Sequence, residues 1–144
     1  MCLKFENHKF SKLKLVNSQI KTQTKVDALN AYKESLSIDK QFKPAATNLA
    51  LVHIKLNQFD EAIKVCTDLL YWVELMEDGY ERSKEFNFKA FCRRAMGHRG
   101  LQEWDLAVED LEKALELIPG DKPAMKLLEE TRKIARESEE VVKI

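Results

Sequence analysis

The chain has 144 residues, 44% of them hydrophobic and 33% charged, enough for one compact domain or a short solenoid but not for two independent cores. Its 24 basic and 24 acidic residues cancel, which removes the basic excess that would draw the whole molecule to nucleic acid. The three cysteines, Cys2, Cys66 and Cys92, have no C-x-x-C spacing, so neither a disulfide framework nor a zinc site is expected and free thiols in a reducing compartment are.

Only 4 Gly and 3 Pro interrupt the sequence, which leaves long stretches free to be helix. The periodicity predicts seven helices, at about 8–22, 24–37, 43–56, 58–75, 80–99, 103–117 and 121–140. The charge is uneven along them. Residues 1–72 hold 11 Lys and no Arg against 7 acids, whereas residues 73–144 hold 13 basic residues against 17 acids, so a basic front and an acidic back are expected. The opening Met-Cys-Leu-Lys-Phe-Glu-Asn lacks the apolar core of a signal peptide. The most apolar run, over 69–76, is too short to span a membrane and carries Glu74. A cytoplasmic location without membrane or nucleic-acid partners is the expectation.

The second, fourth and sixth helices share a signature. Val26-Asp27-Ala28-Leu29, Asp60-Glu61-Ala62-Ile63 and Asp105-Leu106-Ala107-Val108 align on a small residue. Ala28 and Ala62 are 34 residues apart, whereas Ala62 and Ala107 are 45 apart, one such period with eleven residues inserted. Phe59 and Trp104 each stand three residues before the small residue, where an aromatic can plug the turn between paired helices. Ala50 and Ala95 each stand twelve before it, where a small side chain permits close crossing. Pro119 and Gly120 close the third pair.

In these residues the sequence resembles the tetratricopeptide-repeat (TPR) family across roughly 9–119. The resemblance implies an all-α fold: a right-handed superhelix of three helix-turn-helix repeats, with a concave groove lined by the first helix of each pair. The single domain would comprise repeat one at about 9–40 and repeat two at about 43–76 with an insertion to about 87. Repeat three would follow at about 88–120 and a capping helix at about 121–140. Repeat one departs most, with Val16 where a small residue is expected and Lys25 where an aromatic is.

The insertion lies between Leu69 and Phe88. Eleven residues are about three helical turns, so it can lengthen two facing helices without rotating their buried sides away, with Glu77-Asp78-Gly79 near the bend. These projecting helices would carry Tyr71, Trp72, Tyr80, Phe86 and Phe88, which either pack on one another or form a second contact surface through which a homodimer could assemble. In the capping helix, Ala124, Leu127, Leu128, Thr131, Ile134 and Ala135 form an apolar stripe, opened by Asp121 as N-cap with Pro123 in the first turn.

No phosphate loop, metalloprotease motif, nucleophile elbow or paired cysteine motif occurs, so no catalytic residue, metal or cofactor is expected and a non-enzymatic binding role is. His53 and His98 hold equivalent positions 45 residues apart, where the family usually has a large packing residue, and packing is their expected role.

One branch of the family binds heat-shock chaperones by clamping the terminal carboxylate and last acidic side chain of the partner. Carried onto this sequence, the resemblance places Asn17, Asn48, Lys89 and Arg93 in such a peptide site: amides for directed donors, Lys for a point charge, Arg for a fork. A fifth position, a Lys in the family, is Leu13 here. Either a one-residue shift brings flanking Lys12 or Lys14 into place or the site lacks that cation. Lys21, Lys55 and Arg99 would extend the basic groove. The expectation is a co-chaperone-type adaptor for an acidic chaperone C-terminus. The alternatives left open are a scaffold or assembly factor, as for dynein arms, that binds internal segments, or the targeting module of a larger enzyme.

Overall fold

A computed structural model describes residues 23–37 and 43–142. Six helices run through them: α1 over 23–37, α2 Lys43–Lys55, α3 Phe59–Met76, α4 Lys84–Gly100, α5 Trp104–Leu117 and α6 Lys122–Val142. The predicted helix over 8–22 lies outside the described residues. From α2 onward each helix folds back on the one before it, so that α2 packs on α3, α3 on α4, α4 on α5 and α5 on α6, while α2 and α4 also touch side by side.

Small residues set how closely these helices cross. Ala50, Ala62, Ala90, Ala95, Ala107 and Ala114 are all fully buried, so backbones approach where a larger side chain would hold them apart. Around them the core has two parts. One gathers Leu69, Leu70 and Val73 of α3 against Ala90 and Phe91 of α4; the other joins Ala95 to Ala107 and Leu111 of α5 and Leu128 of α6.

The turns from α2 to α3 and from α4 to α5 are built alike. Asn57 and Gln102 take left-handed backbone angles, with φ 59° and 62°. Gln58 and Glu103 then donate their N–H groups back to the carbonyls of His53 and His98, at 2.8 Å each, while Asn57 and Gln102 donate to Ile54 and Arg99, at 3.0 Å each. That pair of bonds is the Schellman ending of a helix, and it satisfies carbonyls that would otherwise be orphaned. The histidines finish the turn: His53 Nδ1 lies 2.8 Å from Gln58 Oε1 and His98 Nδ1 lies 3.1 Å from Glu103 Oε1. Both therefore serve the turn through hydrogen bonds as well as by packing.

The insertion is divided between helix and loop. α5 ends at Leu117, which corresponds to Trp72, whereas α3 continues one turn further to Met76; α2 begins at Lys43, which corresponds to Phe88, whereas α4 begins one turn earlier at Lys84. The rest is a loop over 77–83, so the expected start of α4 at about 80 is corrected to 84. Two residues force the break: Asp78 and Gly79 both have positive φ, at 54° and 105°. The loop is pinned from beneath. Fully buried Asn87 donates from Nδ2 to the Tyr80 carbonyl at 2.8 Å, the Tyr80 ring stands edge-on to Phe91 with centroids 5.1 Å apart, and Lys43 pairs with Glu77.

α6 begins as its sequence requires. The Ala124 N–H donates to Asp121 Oδ2 at 3.0 Å, Pro123 sits in the first turn, and Ala124, Leu128 and Thr131 are buried against α5 with Leu127, Ile134 and Ala135 half-buried beside them.

Candidate functional site

The candidate site lies where α2 and α4, the first helices of two successive pairs, run side by side. Asn48 sits half-buried on α2, and Lys89 and Arg93 lie one turn apart on α4. Arg93 crosses to the neighbouring helix: its Nη1 donates to the backbone carbonyl of Thr47, the residue next to Asn48. The bond brings guanidinium and amide to the same stretch of groove. It also fixes one arm of the Arg93 fork. Burial lowers the pKa of Arg93 from its ordinary value, yet a guanidinium keeps its charge at neutral pH. A partly desolvated cation held in one rotamer costs less to order around a carboxylate than a free surface side chain does.

Lys89 is exposed, its ammonium 5.7 Å from the centre of the Phe86 ring, so the charge is steered along α4 while its donors stay in water. Thr47 was not singled out by sequence, because its contribution is a backbone carbonyl, which any residue carries. Its own hydroxyl donates to the Lys43 carbonyl at 3.0 Å, inside the buried start of α2.

Of the secondary groove residues, Lys55 is exposed in the last turn of α2. Arg99 is half-buried near the end of α4, with a buried Nε that has no hydrogen-bond partner among the described residues. Asn17, Lys12, Lys14 and Lys21, with Leu13, lie outside the described residues. The structure thus places Asn48 on α2 and Lys89 and Arg93 on the adjacent α4, and leaves the first-repeat half of the expected site as a sequence expectation.

Directly behind Arg93 is an ion pair that sequence reading missed. Arg94 grips Asp110 of α5 with both ends of its fork, Nε to Oδ2 at 2.9 Å and Nη2 to Oδ1 at 2.7 Å, and its Nη1 lies 3.4 Å from Thr67 Oγ1 of α3. Asp110 is buried, and His98 Nε2 stands 3.7 Å from its carboxylate. Burial alone would lower the Arg94 pKa, but the hydrogen bonds and charge of Asp110 outweigh it and the net shift is upward. Arg93 and Arg94 are neighbours in sequence with divided labour, one facing the groove and the other clamping three helices together. The signal that could have found the pair is register: 45 residues back, the same two positions are Leu49 and Val65, both apolar.

Cys66 and Cys92 offer no thiolate at neutral pH. Burial raises the thiol pKa of Cys66 and of Cys92 to about 12, so both remain protonated.

A family model described as Tetratricopeptide repeat matches residues 26–73. Human sperm-associated antigen 1 is 37% identical over 108 residues, 75% of this chain but 10% of that protein. The Hsp70-Hsp90 organising protein of Plasmodium falciparum is 30% identical over 111 residues, 71% of this chain and 18% of that protein. The chain therefore spans less than a fifth of either relative. Among solved structures, the second TPR domain of human RPAP3, determined in complex with the HSP70 peptide SGPTIEEVD, superposes with a TM-score of 0.63 at 26% identity. That match covers 81% of this chain and 88% of the other.

Proposed function

We propose that this chain, an all-helical protein built of tetratricopeptide repeats, is an adaptor whose concave face holds the acidic C-terminal peptide of a heat-shock chaperone. The observation that carries the reading is the cross-helix anchoring of Arg93 on the Thr47 carbonyl, beside Asn48 and one turn from Lys89. Two cationic groups and an amide converging from adjacent helices fit a pair of carboxylates: the chain-terminal one and the side chain of a final acidic residue. A metal would call for a different set, lone-pair ligands in place of N–H donors. The HSP70 peptide named with the RPAP3 domain has that chemistry, and the Plasmodium relative is named for organising Hsp70 and Hsp90.

The mechanism is electrostatic capture of a disordered tail. Each charge-assisted hydrogen bond contributes about 1.5–3 kcal/mol net. Four or so of them, less the cost of ordering the tail, leave about −8 kcal/mol, which is micromolar binding. The groove cations of the first repeat, Lys12 or Lys14 in place of Leu13, belong to the same proposal and would complete the ring around the terminal carboxylate.

The test is calorimetric titration with a peptide ending Glu-Glu-Val-Asp and with its C-terminally amidated twin. The free acid is expected to bind with micromolar affinity, and amidation and Arg93→Ala are each expected to weaken it by about tenfold or more, that is ~1.4 kcal/mol. Equal affinity for both peptides, unmoved by Arg93→Ala, would remove the clamp and favour a scaffold that takes internal segments.

A further inference from the structure

The one-turn extension of α3 ends in side chains that the fold does not cover. Tyr71, Leu75 and Met76 are 65%, 63% and 65% exposed, the largest such cluster on any one helix among the described residues. Tyr71 and Leu75 are four residues apart and share a face, with Asp68 one turn before them and Asp78 just past the helix end; neither aspartate is in an ion pair among the described residues. Beside this face, Tyr71, Trp72, Val65, Leu69 and Asp68 of α3 line a recess of about 430 Å³ together with Leu36 of α1 and Ala46 of α2. The last turn of α3 contains no basic residue; the one cation held at this end is Lys43, which pairs with Glu77 and lies 5.3 Å from the centre of the Trp72 ring, so Asp68 and Asp78 stay unpaired among the described residues.

This tip is held rigidly. Asn87, fully buried, is committed to the Tyr80 carbonyl, and Lys43 ties the start of α2 to Glu77 at the end of α3. Buried polar groups are costly to place, so their presence beneath an uncovered apolar end indicates a surface fixed in shape before anything binds it.

We infer that the end of α3, with its recess, is a second docking surface, distinct from the groove, that takes a cationic amphipathic helix from a partner protein. The apolar ridge of Tyr71 and Leu75 fits the groove of another helix. The recess accepts one large apolar side chain, and Asp68 and Asp78 select Lys or Arg at its flanks. A second copy of this chain fits less well. The exposed apolar area is on the order of 300–400 Å², under half of the ~800 Å² per partner that a stable specific dimer buries. A second copy would also bring the same acidic rim to face itself. With the groove on α2 and α4 and this surface at the end of α3, the chain can hold two partners of opposite charge at once.

The test uses NMR titration of the isotope-labelled chain with a 14-residue amphipathic helix of Leu and Lys, and with a Leu and Glu twin of the same pattern. The Lys peptide is expected to shift amide signals over 65–80 at least tenfold more tightly than the Glu peptide. Tyr71→Ser with Leu75→Ser should abolish that, Asp68→Asn should weaken it about threefold, and Arg93→Ala should leave it unchanged. The proposal is overturned if the shifts fall in the groove or scatter over the acidic back of the chain, if the two peptides bind alike, or if the double variant binds as well as the parent. Sedimentation of the free chain as a dimer that Tyr71→Ser dissolves would overturn it in favour of a second copy.

Discussion

The pairs α2–α3 and α4–α5 lie 45 residues apart in register and share one plan, yet they are held together by different forces. Where the first has apolar Leu49 and Val65, the second has Arg94 paired with Asp110 at the same two positions; where the first has the long α3 with an uncovered end, the second has a shorter α5 closed by α6. The turns are the same, down to the histidine that bonds the side chain five residues on. The difference teaches that this architecture fixes backbone crossings through its alanines and leaves the flanking positions open to apolar or ionic filling, provided each is internally satisfied.

The sharpest way to break that comparison is to remove half of the ionic pair. Asp110→Ala leaves the Arg94 guanidinium without its partner between three helices. It should cost about 2–3 kcal/mol in denaturant unfolding, the lower end for a broken buried pair because Arg94 keeps an edge in solvent. Importing the other repeat's solution, Arg94→Leu with Asp110→Val, should recover most of that loss or exceed it, since a well-packed apolar pair is often as stable as the ion pair it replaces. A double variant no more stable than Asp110→Ala would mean that the pair is required by its surroundings, including Thr67 and His98, and that the two repeats are not interchangeable there.

The next difference is how each helix pair meets the one after it. Phe59 lies flat on α4 because Gly97 and Gly100 leave room: a Cβ on Gly100 would stand 2.5 Å from two carbons of the Phe59 ring, and one on Gly97 would stand 2.8 Å from Ile63 Cγ1. In the preceding repeat Lys25 replaces the aromatic, and the positions matching the two glycines are Val52 and Lys55. Gly100→Ala should cost about 1–2 kcal/mol, the overpacking penalty less the small gain in helix propensity near a helix end. Phe59→Leu made together with it should return part of that loss in a double-mutant cycle, whereas strictly additive costs would show that the ring is not what the glycine accommodates.

How much of this was legible follows the same division. The helices could be read because their alanines, aromatic plugs and apolar stripes repeat; the N-cap Asp121 and the stripe of α6 could be read because capping and amphipathicity are local. The start of α4 differs from its expected place by four residues because the positive φ of Asp78 and Gly79 and the bond of Asn87 to the Tyr80 carbonyl, which keep this stretch a loop, are set by tertiary context. Asn48, Lys89 and Arg93 were reached through family resemblance, and what the structure adds is the Thr47 carbonyl that anchors Arg93, a main-chain contact with no signature in side-chain identity. The Arg94–Asp110 pair escaped because a charge on a helix reads as a solvated face until its partner on the next helix is placed.

The smallest difference between the two repeats is in the turn itself. Asn57 and Gln102 occupy the same left-handed position, but Asn tolerates it and Gln does not: its longer side chain cannot bond its own backbone to offset the Cβ clash, and the strain is on the order of 1 kcal/mol. Gln102 is exposed and its side chain makes no hydrogen bond among the described residues, so changing it disturbs the backbone conformation alone. Gln102→Gly should therefore stabilise the chain by about 0.5–1 kcal/mol, raising the unfolding midpoint by ~2–4 °C, and Gln102→Asn, which copies Asn57, by a few tenths of a kcal/mol. The reciprocal change, Asn57→Gln, should lose what Gln102→Asn gains, because the Schellman bonds around both residues have the same lengths and differ only in which side chain stands over them. Unequal and opposite shifts would show that the two turns are held by their surroundings and not by their own backbone.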